Sequence, residues 1–295
     1  MHFLKQIKLK SWQLVTIKEL LKFGKDQLAT KNISPVDAEL LLAHLLGLSR
    51  MELHAKTIEL PEDEAEVIRD QFTQAIAERL SGKPTQYITE LAPFRYLEYE
   101  VGPGVLIPRP ETEIMVDEVL HQLGRFVDPI SVIDLGSGSG AIAISIASET
   151  AGKRIVHAIA VEKSPEAIQW LNRNIAKHDV NVRVVESDVV DALEGVKADV
   201  VVANPPYLPD GQEIPQELIF EPSEALFGGP SDGMDAPKAF IAAAARLLKS
   251  GGLFAIEHNE VQGPLIAQIL AQDFESIALH KDLTDRPRFT TATRK

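Results

Sequence analysis

The sequence contains no cysteine. That absence excludes disulfides, thiolate zinc sites, iron–sulfur clusters and a cysteine nucleophile. The eight histidines include no His-x-x-x-His pair that would chelate a metal from one helix turn, so no metal is expected. No run approaches the ~20 consecutive apolar residues of a membrane-spanning helix. The N-terminal stretch MHFLKQIKLKSWQL has neither the apolar core of a secretory signal nor, despite its lysines, the arginine of a transit peptide. The expectation is a cytoplasmic protein with no membrane partner. Basic residues are also in deficit, 30 Lys and Arg against 43 Asp and Glu, for a net charge of −13. Phosphate backbones are gripped mainly by lysine and arginine, so direct binding of nucleic acid is not expected, and a basic protein partner suits the chain better. The rest, 45% apolar and 25% charged in 295 residues, is ordinary globular composition, enough for one large domain or two of usual size.

Residues 15 to 82 read as helices. Thr16-Ile17-Lys18-Glu19 is a capping box, followed by Ile17, Leu20, Leu21, Gly24 and Leu28 on one helical face. Ser34-Pro35 supplies an N-cap and a first-turn proline for a helix through Leu40, Leu41 and Leu45, and Gly47 stands at its C-terminal stop. Ser49 caps a short helix containing Leu53. A longer one starts after Pro61, with Val67, Ile68, Phe72, Ile76 and Leu80 on its apolar side and Gly82 and Pro84 ending it. From Thr85 to Val101 aromatic and β-branched residues suggest a hairpin. Gly102-Pro103-Gly104 and Pro108-Arg109-Pro110 punctuate a connector whose Arg109, Glu111 and Glu113 serve either as solvated linker charges or as groups ordering a junction or a ligand.

Beyond Glu113 strands and helices alternate. Candidate strands are Val132–Leu135, Ile155–Val161, Val182–Glu186, Asp199–Ala203, Leu253–Glu257, Ser276–Leu279 and Phe289–Thr293, with helices near 141–149, 165–177, 236–249 and 262–272. This pattern predicts an α/β domain with a mainly parallel sheet, ligands at the carboxyl ends of the strands, and the last two strands antiparallel at one edge.

The first of these strands runs into Asp134-Leu135-Gly136-Ser137-Gly138-Ser139-Gly140. Glycines there permit a tight turn and close approach of a ligand. The spacing is one residue tighter than the dinucleotide fingerprint and is similar to the first motif of class I methyltransferases. Glu162 closes the second strand, where a carboxylate can accept both hydroxyls of an adenosine ribose. Asp188 and Val189 follow the third strand, where a side-chain acceptor and a backbone donor can meet adenine. Acids at strand ends are often turn formers, yet these stand in register on consecutive strands. The loop has no lysine or arginine, which favours a nucleoside sulfonium, S-adenosyl-L-methionine, over a polyphosphate. Without cysteine to build a cluster, only polar methyl transfer is available.

The fourth strand ends in Asn204-Pro205-Pro206-Tyr207. Asn-Pro and Pro-Pro are common turn dipeptides, but here they stand where a methyl group would be delivered. A planar amide or amino nitrogen is a poor nucleophile because its lone pair is delocalised. The Asn204 side-chain carbonyl and the Pro205 backbone carbonyl can accept its two N–H bonds and stabilise the charge that develops. Proline offers an acceptor without a competing donor, and Tyr207 can stack on the flat group. Asn204 is the candidate catalytic residue.

Asn-Pro-Pro-Tyr occurs in several families that methylate nitrogen. Gly104-Val105-Leu106-Ile107-Pro108-Arg109-Pro110-Glu111-Thr112-Glu113, preceded by Lys83-Pro84-Thr85-Gln86-Tyr87-Ile88, resembles the domain connector of the PrmC/HemK family. Phe220-Glu221-Pro222 with Ala225-Leu226, and Glu257-His258, resemble it too. The resemblance spans roughly residues 16 to 295 and implies a release factor glutamine methyltransferase. Its substrate would be the glutamine of the Gly-Gly-Gln loop of class-I peptide chain release factors. The implied architecture is a helical recognition domain (1–84), a β-hairpin connector (85–115) and a Rossmann-like class I methyltransferase domain with a seven-stranded sheet (116–295). The resemblance also implies that Asn204, Pro205, Pro206 and Tyr207 hold the target amide. Gly136, Ser137, Gly138, Ser139, Gly140, Glu162, Asp188, Val189 and Asn204 would line the cofactor pocket. Two other readings remain open: an amino-methyltransferase of DNA or rRNA, and a binding protein that keeps the fold without turnover.

Overall fold

The computed structural model describes residues 16–55 and 62–295; the N-terminal stretch and Pro61 considered above lie outside the described residues. The chain divides into two compact units between Thr89 and Glu90.

The first unit is helical: α1 (Ile17–Ala29), α2 (Pro35–Leu45), α3 (Arg50–Ala55), α4 (Glu62–Leu80) and α5 (Thr85–Thr89). Local chemistry starts these helices as the sequence suggests. Thr16 and Glu19 form the reciprocal capping box of α1, and the Ser34 hydroxyl accepts from the Val36 N–H ahead of α2. The core joins Leu20, Leu21, Leu28, Leu41, Leu42, Phe72 and Ile76. Gly24 lets α1 and α4 meet, since a Cβ there would stand 2.6 Å from Phe72 Cζ. Two expectations fail here. Val67 is 54% exposed rather than on the apolar side of α4. Thr85–Thr89 forms α5 where the pattern suggested the start of a hairpin.

In the second unit, β1 (Leu91–Phe94) and β2 (Leu97–Glu100) form an antiparallel hairpin. Its turn residue Arg95 has φ +54° and is held by its own guanidinium, which reaches Glu149, Asp117 at 2.7 Å and the Glu113 carbonyl at 2.8 Å. A helix the sequence reading missed, α6 (Thr112–Gln122), follows, with Met115, Val116 and Val119 buried. The main sheet then alternates with helices: β3 (Ile130–Leu135), α7 (Ala141–Thr150), β4 (Val156–Glu162), α8 (Pro165–His178), β5 (Val182–Glu186) and β6 (Ala198–Ala203). A small parallel pair, β7 (Leu208–Pro209) and β8 (Phe227–Gly229), interrupts it before α9 (Asp235–Leu247), β9 (Leu248–Glu257), α10 (Gly263–Leu270), β10 (Phe274–Lys281) and β11 (Pro287–Arg294).

The seven-stranded sheet has the order β10-β11-β9-β6-β3-β4-β5 and is parallel except for β11, which runs antiparallel to both neighbours. The expected antiparallel edge is present, with the final strand inserted between β9 and β10 rather than added outside. From β3 the chain steps outward to β4 and β5, then returns to β6 on the other side. The carboxyl ends of β3 and β6 therefore flank a topological switch point, where open α/β sheets bind ligands. Among the described residues no helix is long and apolar enough to cross a membrane.

Candidate active site

The turn after β3 needs its glycines. Gly136, Gly138 and Gly140 have φ of +68°, +54° and +85°, a region that disfavours side chains. Gly136 and Ser137 donate N–H bonds to the Val161 carbonyl, and the Ser137 hydroxyl donates to the Asp134 carbonyl, which curls the loop over the sheet edge. Gly140 caps α7, and a Cβ there would meet Leu171 at 2.5 Å and Ile144 at 2.7 Å. Beneath the loop Asp134 is buried. One carboxylate oxygen accepts from Ala143 N–H at 3.1 Å, and Oδ1 has no partner among the described residues. Burial pushes its carboxyl up to about 7, against the pull of the Ala143 and Ser137 hydrogen bonds.

A cavity of about 320 Å³ opens at this switch point. Gly136, Ser137, Gly138 and Ser139 form one wall, with Glu162, Asp188, Val189, Asn204 and Pro206 around it. Gly140, Pro205 and Tyr207, which the sequence reading placed in the site, are not part of the lining. Gly140 faces the α7–α8 packing instead, and the other two lie beside lining residues. A Cβ on Gly138 would find only Val105 Cγ2, at 3.9 Å, so the cavity side of the loop is open.

Glu162 does more than the sequence suggested. Its carboxylate accepts from Gly138 N–H at 2.9 Å and from the N–H groups of Lys163 and Ser164 at 2.8 and 2.9 Å. It therefore ties the glycine loop to the end of β4 while lining the cavity. Oε1 takes the Lys163 and Ser164 bonds, and Oε2, with only the Gly138 N–H, keeps a lone pair for a hydroxyl. Asp188 is half exposed; one oxygen closes a local turn by accepting from Val190 N–H at 3.1 Å, and the other faces Lys163 Nζ at 3.6 Å. Val189 is buried in the sheet's core, and its carbonyl is held by Arg246 at 3.1 Å.

The segment after β6 is pinned from several sides. Tyr207 and Leu208 donate N–H bonds to the Leu226 carbonyl, and the Gln262 amide donates to the carbonyls of Tyr207 and Asp232 at 3.0 and 2.8 Å. Gly228 is demanded by close approach, since a Cβ there would lie 2.5 Å from the Pro206 carbonyl oxygen. Burial pushes the Tyr207 hydroxyl up to about 12. The Asn204 side-chain nitrogen donates to Thr112 Oγ1 at 3.3 Å, and the Thr112 hydroxyl donates to Glu257 at 2.6 Å. The connector is tied in as well: Arg109 pairs with buried Glu221 at 2.7 Å, and Glu221 also accepts from Ile107 N–H. Arg109 and Thr112 line the cavity. The sequence reading gave Thr112 no role, although the burial spacing of Thr112, Met115, Val116 and Val119 marks the helix that carries it.

Residues 112–233 match the family described as Methyltransferase small domain, and residues 19–89 match the PrmC N-terminal domain. The chain is similar to the release factor glutamine methyltransferase of Mycolicibacterium smegmatis, 40% identical over 88% of this chain and 90% of the relative. It is also similar to the protein of that name in Streptomyces coelicolor, 39% identical over 87% and 89% of the two chains. Among solved structures it is similar to the T. thermophilus 16S rRNA N2 G1207 methyltransferase in complex with AdoMet and guanosine. That likeness has a TM-score of 0.51 and 23% identity over 70% of this chain and 50% of the other, and it bears on the fold alone.

Proposed function

The chain belongs to the release factor glutamine methyltransferase family, and on that premise we propose that it methylates the side-chain amide nitrogen (N5) of the glutamine in the Gly-Gly-Gln motif of class-I peptide chain release factors. The observation that carries the site assignment is the Asn204 amide, turned with its nitrogen toward Thr112 at one side of the cavity that Glu162 and the glycine loop also line.

The residues present fit S-adenosyl-L-methionine as methyl donor. The loop is open at Gly138, carries no cation that would call for a phosphate, and faces carboxylates at Glu162 and Asp188 with apolar Val189 between β5 and the core. When bound, that cofactor supplies an electrophilic methyl group on a positively charged sulfur. Gly136, Ser137, Gly138 and Ser139 would bring backbone to it, and Gly140 sets the turn behind them. Glu162 would accept from the ribose hydroxyls, Asp188 would take the adenine amine, and Val189 would pack beside the ring.

Asn204 Oδ1 and the Pro205 carbonyl accept the two N–H bonds of the glutamine amide. This aims its nitrogen and stabilises positive charge as the C–N bond forms and the methyl–sulfur bond breaks, in a turn that proline keeps rigid and free of competing donors. Pro206 walls the clamp. Tyr207, held by Leu226 and Gln262, offers a flat face to the amide. The proton leaves after the bond has formed, so the methyl-transfer step needs no general base.

The helical unit carries none of these groups. A glutamine side chain offers too little surface for specificity, and we assign recognition of the folded release factor to that unit. Translation termination places this work in the cytoplasm. Methylation of a DNA or rRNA amino group is not favoured, since these relatives are named for release factors and the net charge is −13. The test is single-turnover transfer from labelled cofactor to intact release factor. Asn204→Ala should slow it roughly 10²–10³-fold with little change in cofactor affinity. A rate within a few-fold of wild type would reduce Asn204 to a turn residue.

A further inference from the structure

Glu257 is a buried carboxylate that the reaction itself does not use. It ends β9 at 1% exposure and does not line the cavity. The β6–β9 register, Ala203 opposite Ile256, sets it beside Asn204. The charged and titratable groups that act on it are Arg288 on β11, Arg109 and Glu111 on the connector, and Tyr207 after β6. Both arginines are engaged elsewhere, Arg288 with Asp282 at 3.0 Å and Arg109 with Glu221 at 2.7 Å. Among the described residues the Glu257 carboxylate has one hydrogen-bond donor, the Thr112 hydroxyl at 2.6 Å.

That contact has a direction. A carboxylate only accepts, so the Thr112 hydrogen must point to Glu257. The Thr112 oxygen then presents only lone pairs toward Asn204, and the amide nitrogen is the end of Asn204 that can meet them, at 3.3 Å. The carbonyl Oδ1 is left facing the other way. An asparagine amide has nearly the same shape either way round, so packing alone does not choose its orientation. A flipped Asn204 would set its NH₂ against the NH₂ of the substrate amide, donor against donor.

We propose that Thr112 and Glu257 are positioning residues that fix the direction of the Asn204 amide, so that its oxygen and not its nitrogen receives the substrate amide. The proposal rests on the reading of Asn204 as the substrate clamp. It gives the carboxylate a second consequence. Burial pushes Glu257 up to about 7, opposed by the Thr112 hydrogen bond and by Arg288. A protonated Glu257 can itself donate to Thr112. That frees the Thr112 hydroxyl to donate to Asn204 Oδ1, which reverses the relay.

The test compares Thr112→Val, Thr112→Ser, Glu257→Gln and Asn204→Ala in the full chain. Single-turnover transfer to release factor, KM and binding of S-adenosylhomocysteine are the readouts. Thr112→Val should transfer methyl about 10–100-fold more slowly with KM and cofactor affinity near wild type. Thr112→Ser should stay close to wild type. In wild type kcat should fall as pH drops through about 7, and Glu257→Gln should flatten that fall. Asp134 titrates in the same range, so the comparison with Glu257→Gln carries this arm. A readout independent of turnover is the Asn204 side-chain ¹⁵N amide pair, assigned by its loss in Asn204→Ala. It should shift with pH through the same range in wild type and stay constant in Glu257→Gln, an arm that holds even if Thr112→Val fails to fold. A Thr112→Val rate within twofold of wild type, equal slowing in Thr112→Ser, or a pH-invariant Asn204 signal overturns the relay. If Asn204→Ala is itself fast the clamp is wrong; if it is slow while Thr112→Val is fast, only the relay is wrong.

Discussion

Removing the Glu162 carboxylate is the sharpest probe of the cofactor wall, because its bonds predict two separable losses. In Glu162→Ala, three backbone N–H groups lose their acceptor. Those of Lys163 and Ser164 stand at the start of a surface helix and can turn to water. The Gly138 N–H belongs to a loop held at φ +54°, and its 2.9 Å bond to Glu162 is the tie between that loop and β4. Orphaning it costs about 1–3 kcal/mol. At roughly 2–4 °C per kcal/mol for a unit of this size, Tm should fall by about 2–12 °C. The second loss is the acceptor for the ribose hydroxyls, another 1–3 kcal/mol or so, which corresponds to cofactor affinity weaker by about 5–150-fold. Glu162→Gln spares the helix start but neither of these losses. Its oxygen can still serve Lys163 and Ser164, but its NH₂ would face the Gly138 N–H, so loop and binding suffer while the helix start does not. Differential scanning calorimetry gives the first loss, and titration calorimetry with S-adenosylhomocysteine the second. A folded Glu162→Ala that binds within twofold of wild type would remove Glu162 from the cofactor site.

Gly228→Ala forces a Cβ to within 2.3 Å of the Gly233 carbonyl and 2.5 Å of the Pro206 carbonyl. It should cost about 1–3 kcal/mol in urea unfolding and abolish most methyl transfer, since the displaced backbone is the clamp itself; wild-type rates in this variant would refute the packing argument. In the helical unit, Lys25 at 2.6 Å, against burial and with help from Arg50 and His54, holds the Glu39 carboxyl down from 4.5 to about 2. A depressed pKa contributes stability that is present above 4.5 and is lost as pH falls toward 2, here at most about 3 kcal/mol. Glu39→Gln should therefore lower stability at pH 7 and flatten the decline in urea midpoints between pH 5 and 2.5; parallel curves would refute the assignment. A chain of residues 90–295 should keep cofactor binding while kcat/KM for intact release factor falls sharply, with a Gly-Gly-Gln peptide a poor substrate for both forms; full efficiency on intact release factor would remove recognition from the helical unit.

Local chemistry on this chain announced itself in the sequence. The Thr16–Glu19 capping box, the Ser34-Pro35 helix start, the positive-φ glycines after β3 and the alternation of strand and helix act through hydrogen bonds and dihedrals within a few residues, so each could be read in place. The absence of cysteine and the motif order narrow the chemistry to polar methyl transfer on the sequence alone. Features that depend on distant partners left no such mark. The helix α6 starts at Thr112 after an N-cap, Glu111, that makes no side-chain capping bond, so it hid behind a proline-rich connector. The pairing of β11 between β9 and β10 is decided by long-range register, and an edge pair alone reads the same way in sequence. Gly140 shares a motif with Gly138, yet it packs against Leu171 and Ile144 rather than lining the cavity, a distinction made by α8. The hydrogen-bond chain Asn204–Thr112–Glu257 joins residues from three elements far apart in the chain. Residue identity shows that each of these groups can donate or accept. Only the sheet register, which sets β9 beside β6, and the burial that denies them water decide that they must do so with one another.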